Sequence, residues 1–306
     1  MFKIPNPPDP QSDPHELADF VELICWKQGS VSKQEILTYF NQAEDNAHNS
    51  GCDDDEDTNS EKLDEVMNEI ERRMTACGDG YPFLLKPVGT VLKSKFNIKN
   101  DKFVLYIYLL LSTRLDMKSS RIHAKIDGAL LFEEVCAHVL KNYLGGSTAK
   151  ALVFGTATKG SFKNKVETLC KELHEGAGFK NPNSAPVFDK DGKLDVVAWV
   201  PFSDLSVGQL IIFCQCKTGT AWEEDVAKLN PSAFISKWID GTIAVLPVRS
   251  FCVSEACNRS RWNSLCIDAG LLFDRCRLVD FCDVMELNLK KNILNWTSSA
   301  ATTATY

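Results

Sequence analysis

The stretch Leu194-Asp195-Val196-Val197-Ala198-Trp199-Val200, followed after Pro201 to Gly208 by Gln209-Leu210-Ile211-Ile212-Phe213-Cys214-Gln215-Cys216 and then Lys217-Thr218-Gly219, decides how the chain folds. Each run is short, rich in Val and Ile, and bounded by turn residues, the pattern of a strand buried in the middle of a sheet. Asp191-Gly192 supplies a turn ahead of the first run, and the loop between them is long enough to make the two a hairpin. Thr242 to Val248 reads as a third strand, Leu272 to Phe281 as a weaker fourth, and Glu223 to Ile239 as a helix between the second and third. Upstream, helical spacing marks Lys102 to Leu115, apolar enough to be buried, Gly128 to Leu144, stopped by Gly145-Gly146, and Lys163 to His174, stopped by Gly176 and Gly178. This order predicts an α/β fold, an α/β/α sandwich around a central mixed sheet.

Three polar residues break the apolar strands. Side chains alternate along a strand, so Gln215 and Lys217 share one face while Cys214 and Cys216 take the other. An amide and an ammonium on a core strand carry a desolvation penalty unless something pairs with them. Asp195 poses the same problem on the neighbouring strand, and the hairpin brings it near them. A carboxylate from Asp195, the amide oxygen of Gln215 and the strand carbonyl of Cys216 make an oxygen-rich pocket. Such a pocket suits a hard cation, Mg²⁺ or Mn²⁺, that also takes phosphate oxygens. Lys217 beside it could orient a water or neutralise charge on a phosphate.

The elements Leu194-Asp195-Val196-Val197 and Gln215-Cys216-Lys217 resemble those of the PD-(D/E)xK nuclease superfamily, in its QxK form. The resemblance covers about residues 125 to 285 and implies a restriction-endonuclease-like fold, an upstream helix glutamate and Mg²⁺-dependent hydrolysis of nucleic-acid phosphodiester bonds, DNA first. Gln215 replaces a charged ligand with a neutral amide. For the helix glutamate, Phe132-Glu133-Glu134 offers two choices. At 100° per residue Glu133 lies at the margin of the apolar stripe through Leu131, Phe132, Val135, Val139 and Tyr143, and Glu134 lies further round, so Glu133 is the inward choice. The same resemblance implies an effector in restriction or anti-phage defence, an ATPase or helicase partner, and a homo-oligomer. Two rival functions stand beside it: a catalytically inactive binding module on the nuclease fold, and a winged-helix DNA-binding regulator.

Residues 1–98 are expected to form a separate domain ahead of the nuclease-like domain at 99–306. After a proline-rich leader to Pro14, a helix from His15 ends at Gly29, Ser32 and Glu35 form a capping box for a second, and Glu61 to Met74 is a third. Phe83 to Leu85 and Val88 to Leu92 follow as a hairpin, which together resembles a winged helix. Asn46 to Ser60, with Asp53-Asp54-Asp55-Glu56-Asp57, is expected to be a disordered acidic insertion. Glu61, Asp64, Glu65, Glu69 and Glu71 on the third helix would repel phosphate, which argues against a DNA-reading helix.

The chain of 306 residues, 44% hydrophobic and 25% charged, carries a net charge of −7. That charge is uneven: residues 1–80 hold 6 Lys+Arg against 19 Asp+Glu, so the remainder is mildly basic. Lys159, Lys163, Lys165, Arg249, Arg259, Arg261, Arg275 and Arg277 are candidates for contact with a nucleic-acid backbone, and Trp222 for stacking on a base. No apolar run approaches the roughly 20 residues of a membrane span, so a cytoplasmic protein without membrane partners is expected. The 12 cysteines are scattered through apolar segments without a CxxC pair and read as buried thiols. Gly155 to Gly160 lacks the P-loop lysine, Asp189 to Gly192 lacks the remaining ligands of a calcium loop, and the five histidines have no zinc spacing.

Overall fold

The hairpin expected between Leu194 and Cys216 forms as two antiparallel strands, Val196–Val200 and Leu210–Lys217, in a computed structural model that describes residues 2–47, 55–86, 89–155, 160–182, 184 and 192–302. In chain order the N-terminal part runs α1 (Pro14–Gln28), β1 (Ser30–Ser32), α2 (Lys33–Ala47), α3 (Asp55–Cys77), β2 (Phe83–Leu85) and β3 (Val91–Ser94). Its three strands are antiparallel in the order β1-β3-β2. The capping box is made: Ser32 Oγ accepts from the Glu35 amide, and Glu35 accepts from the Ser32 amide. The expected loop over Asn46 to Ser60 is corrected at both ends, because α2 continues to Ala47 and α3 starts at Asp55. Acidic residues in a first helical turn complement the dipole, so the charge that argues for disorder also suits a helix start. Residues 48–54 lie outside the described residues.

The rest comprises α4 (Asp101–Arg114), β4 (Ile122–His123), β5 (Ile126–Asp127), α5 (Gly128–Tyr143), β6 (Lys150–Val153), α6 (Phe162–Leu173), β7 (Gly178–Phe179), β8 (Val196–Val200), β9 (Leu210–Lys217), α7 (Pro231–Trp238), β10 (Ile239–Asp240), β11 (Val248–Val253), α8 (Trp262–Ala269), β12 (Leu271–Phe273), α9 (Arg275–Asp280) and α10 (Leu287–Ala301). The fold is mixed α/β with a five-stranded sheet in the order β12-β11-β9-β8-β6. β6, β8 and β9 are antiparallel neighbours, while β11 and β12 run parallel to β9.

Alternation along the central strands gives each face its own cover. Val196, Ala198, Ile212, Cys214 and Cys216 join one apolar cluster with α4, α5 and the N-terminal helices. Val197, Trp199, Ile211 and Phe213 join another with Val166 and Leu169 of α6 and Phe234 and Trp238 of α7. Phe251 and Val253 of β11 pack with Trp222 and Leu265 of α8. The first cluster runs without a break from Leu17 and Phe20 of α1 through α4 to the sheet.

Three sequence expectations shift. The strand expected over Thr242 to Val248 lies instead at Val248–Val253: Pro247 cannot donate to a ladder, and the Ala244 amide is taken by the buried Glu175 carboxylate at 2.8 Å. The strand expected to Phe281 stops at Phe273, where Asp274 accepts from the Arg277 amide and starts α9. Within Glu223 to Ile239, only a single 3-10 turn at Glu223–Asp225 and the helix α7 form, the latter set by Asn230 as N-cap and Pro231 at the first helical position. The edge strand β6 is an addition that the sequence pattern does not mark. It has four residues, and neither Lys150 nor Ala151 favours a strand.

Candidate functional site

Asp195 stands immediately before β8. Its amide donates to the Cys214 carbonyl at 2.9 Å, and its carbonyl accepts from the Phe154 and Gly155 amides at 2.7 and 2.9 Å. The paired ladder ends at Val196 and Cys214, and the Asp195 amide bonds that same Cys214, so Asp195 stands at a bulge at the ladder's end, while Gln215 leaves the face of β9 that Ile211 and Phe213 share. Lys217, two residues along β9, leaves that face as well. The Cys216 amide donates to Asp195 Oδ2 at 2.8 Å and fixes the carboxylate at the strand end.

Glu133 comes from the other side of the sheet. α5 starts at Asp127, whose carboxylate accepts from the Ala129 amide, and buries Leu131, Phe132, Val135 and Cys136 against the sheet. This leaves Glu133, 8% exposed, at the end of β6. A Cβ on Gly155 would stand 2.6 Å from Glu133 Oε2, so the bare glycine lets this carboxylate lie close to the segment that bonds the Asp195 carbonyl. Glu133, Asp195, Gln215 and Lys217 therefore gather at one end of the central strands.

Two features of the group carry chemistry. Gln215 is 1% exposed, yet its Oε1 has no hydrogen-bond partner among the described residues. An unpaired buried acceptor costs about 1–3 kcal/mol, and three other buried polar atoms, His15 Nδ1, Trp199 Nε1 and Thr297 Oγ1, are without a partner in the same way. Gln215 Oε1 and the carboxylates of Asp195 and Glu133 are all oxygen donors, the kind that suits Mg²⁺ or Mn²⁺. The residues present thus fit the expected cation. Lys217 Nζ, for its part, is held 2.7 Å from Asp225 Oδ2 in the turn after the loop, and Lys228 bonds the other oxygen of that carboxylate. The ammonium of Lys217, then that of Lys228, holds the Asp225 carboxyl down to about 2. Sequence reasoning misses Asp225. Its only signal there is the acidic run Glu223-Glu224-Asp225 a few residues past Gly219.

The loop after Lys217 is anchored to the rest of the chain. Gly219, at φ 78°, donates to the Ser112 carbonyl and to Ser254 Oγ, and Ser254 N donates to the Lys217 carbonyl. Trp222 is 2% exposed and donates to Glu255 at 2.7 Å, so its ring packs inside rather than offering a stacking surface. Lys3 of the leader donates to the Thr113 carbonyl and lies next to Gly219; burial, then Arg114, pushes its pKa down.

The basic candidates divide by place. Lys165 reaches the site, donating to the Gly155 carbonyl. Lys163 lies 3.7 Å from Glu167, Arg259 bonds Asp274 at 2.8 Å and Arg261 pairs with Glu223 at 2.8 Å. Arg275 is fully buried on Asp19, Arg277 bonds the Leu272 carbonyl, and Arg249 bonds the Ile267 carbonyl at the far end of the sheet. Lys159, with residues 156–158, lies outside the described residues.

A second group of would-be ligands, His15, Glu16 and Glu255, sits close together near α1. Arg114 bonds Glu16 at 3.0 Å and Glu255 at 3.5 Å, so a guanidinium already meets that charge. No helix among the described residues is long and apolar enough to cross a membrane. No family model, no curated protein and no solved structure matches the chain.

Proposed function

We propose that the chain is a metal-dependent endonuclease of the PD-(D/E)xK kind, with a restriction-endonuclease-like α/β/α domain and a winged-helix-like N-terminal part, hydrolysing phosphodiester bonds of DNA. The observation that carries this reading is the buried, unpaired Gln215 Oε1 beside Cys216, whose amide holds the Asp195 carboxylate. Supporting it are an acid at the start of one strand, QxK at the end of its antiparallel neighbour, and a buried glutamate from the preceding helix. The order α1-β1-α2-α3-β2-β3 supports the winged-helix reading, and the exposed Glu61, Asp64, Glu65 and Glu71 on α3 favour contact with protein over DNA.

Asp195, Gln215, Glu133 and the Cys216 carbonyl would hold Mg²⁺ or Mn²⁺, whose bound form supplies charge stabilisation on phosphate and a lower pKa for water. The chain's own residues do the positioning. The Cys216 amide fixes the Asp195 carboxylate, Gly155 leaves room for Glu133, and Asp225 holds the Lys217 ammonium at the site's edge, where it orients water or a phosphate oxygen. An effector role in restriction or anti-phage defence, with an ATPase or helicase partner, rests on the resemblance alone.

The Lys217–Asp225 ion pair also favours a second reading, an inactive module whose lysine is committed to structure. Purified protein with Mg²⁺, incubated with plasmid, single-stranded DNA and RNA, separates the two. The nuclease reading expects cleavage that EDTA stops and that Lys217→Ala lowers by roughly 10²-fold or more, the scale of losing one electrostatic stabiliser. Cleavage unchanged in Lys217→Ala removes this site, and binding without cleavage on every substrate supports the module.

A further inference from the structure

Lys217 ends β9 with its side chain 33% exposed, and a carboxylate holds it in place: its Nζ meets Asp225 Oδ2 at 2.7 Å. A lysine keeps wide rotamer freedom until a partner fixes it. Where the ammonium stands is therefore decided by where Asp225 stands. Asp225 closes a single 3-10 turn, Glu223–Asp225, and three residues of 3-10 helix do not hold a place by themselves. The turn needs an anchor outside itself.

Trp222 supplies that anchor from both of its ends. Its carbonyl accepts from the Asp225 amide at 2.9 Å, and its indole Nε1 donates to Glu255 Oε2 at 2.7 Å. The ring is buried with Phe251 and Val253 of β11 and Leu265 of α8. Glu255 follows β11 closely, is 5% exposed, and divides its two carboxylate oxygens. Oε1 faces Arg114 Nη2 at 3.5 Å and His15 Nε2 at 3.6 Å, while Oε2 accepts from the indole. A bond from an N–H to a buried carboxylate is charge-assisted and stronger than a neutral one. The other brace on the turn is weaker: Arg261 meets Glu223 at 2.8 Å, but those side chains are 60% and 41% exposed, where an ion pair is screened. The bonds of Gly219 to Ser112 and Ser254 fix the start of the loop, ahead of Trp222.

We propose that Glu255 and Trp222 are positioning residues for Lys217: the carboxylate fixes the indole, the indole fixes the turn, and the turn fixes the Asp225 carboxylate that holds the ammonium. This role rests on the nuclease reading for what Lys217 acts on, whereas the relay itself does not. Because Oε1 of Glu255 faces His15 of α1 and Arg114 of α4, the relay begins at the N-terminal part of the chain and ends at the site.

Acetylation of the full chain by an N-hydroxysuccinimide ester, read peptide by peptide by mass spectrometry, tests this without metal or substrate. The reagent takes an amine that is off its partner, so the Lys217 rate follows the fraction of time it is released. Trp222→Phe, which keeps a buried ring and loses the N–H, is expected to raise that rate about threefold or more, the scale of losing a part-exposed ion pair. Asp225→Asn is expected to raise it at least as much, and Trp222→Phe added to Asp225→Asn to raise it no further, as two steps of one relay require. Glu255→Leu removes the acceptor and is expected to repeat the rise. Glu255→Gln still offers the indole an oxygen and is expected to stay at the wild-type rate. A Lys217 rate unchanged in both Trp222→Phe and Glu255→Leu, an equal rise when Asp225 is already replaced, or a Glu255→Gln chain that labels like Glu255→Leu overturns the proposal. A chain that labels as expected but cuts no DNA loses the nuclease reading and keeps the relay.

Discussion

Leaving the Oε1 of Gln215 buried and unpaired costs the folded chain about 1–3 kcal/mol, and that cost separates a working residue from a structural one. If the amide only filled the core, an apolar side chain of similar size would replace it harmlessly. If it binds a cation, Gln215→Leu removes an orphaned acceptor and a ligand together. Stability to urea is therefore expected to rise by about 1 kcal/mol while cleavage falls by roughly 10²-fold or more. Cleavage left unchanged by the substitution would point to a packing role. Asp225 behaves differently, because Lys217 and Lys228 hold its pKa at about 2. A carboxyl lowered in the folded state stabilises above its unfolded value, near 3.8, and loses that contribution only as pH falls toward 2. The clamp on Lys217 is accordingly intact at every pH at which such an enzyme would be assayed.

At the scale of elements, α1 is bound to α3, α4 and α9 by charge as well as by apolar packing. Asp19 is fully buried among Arg73, Arg114 and Arg275, with contacts of 2.6 to 2.7 Å. Burial pushes its pKa up, but the three guanidiniums, Arg275 foremost, outweigh burial and hold it well below the ordinary 3.8. Its stabilisation is present above about pH 4 and is lost as pH falls through the depressed folded value. Asp19→Asn is expected to cost about 3–5 kcal/mol in urea unfolding at about pH 7, the scale for breaking a buried ion pair, with the gap from wild type narrowing below about pH 4. A loss under about 1 kcal/mol at neutral pH would mean that the network contributes little. None of this network is legible in the sequence, because Asp19 and Arg275 meet only once α1 and α9 are packed together. The central hairpin is legible, since alternation alone fixes which face Gln215 and Lys217 share. Glu133 follows from helical spacing. The strand β6 and Asp225 do not: four residues carry too little pattern to mark a strand, and an acid in a 3-10 turn looks like any surface acid until Lys217 reaches it.

For the whole molecule, the two ends of the sheet have different chemistry. One gathers oxygen ligands and lysines, and the other exposes apolar side chains with almost no charge. The N-terminal part adds an acidic surface, with Glu61, Asp64, Glu65 and Glu71 exposed on α3. All of this depends on a cation being held at Gln215, Asp195 and Glu133, and binding can be measured without any substrate. Electron paramagnetic resonance of Mn²⁺ titrated into the purified chain counts the bound ion directly. One Mn²⁺ per chain is expected, lost in Asp195→Ala and weakened by about tenfold or more in Gln215→Leu, on the scale of one lost neutral ligand. No Mn²⁺ bound at millimolar concentration, or binding that both substitutions leave unchanged, would contradict a cation site at the end of these strands.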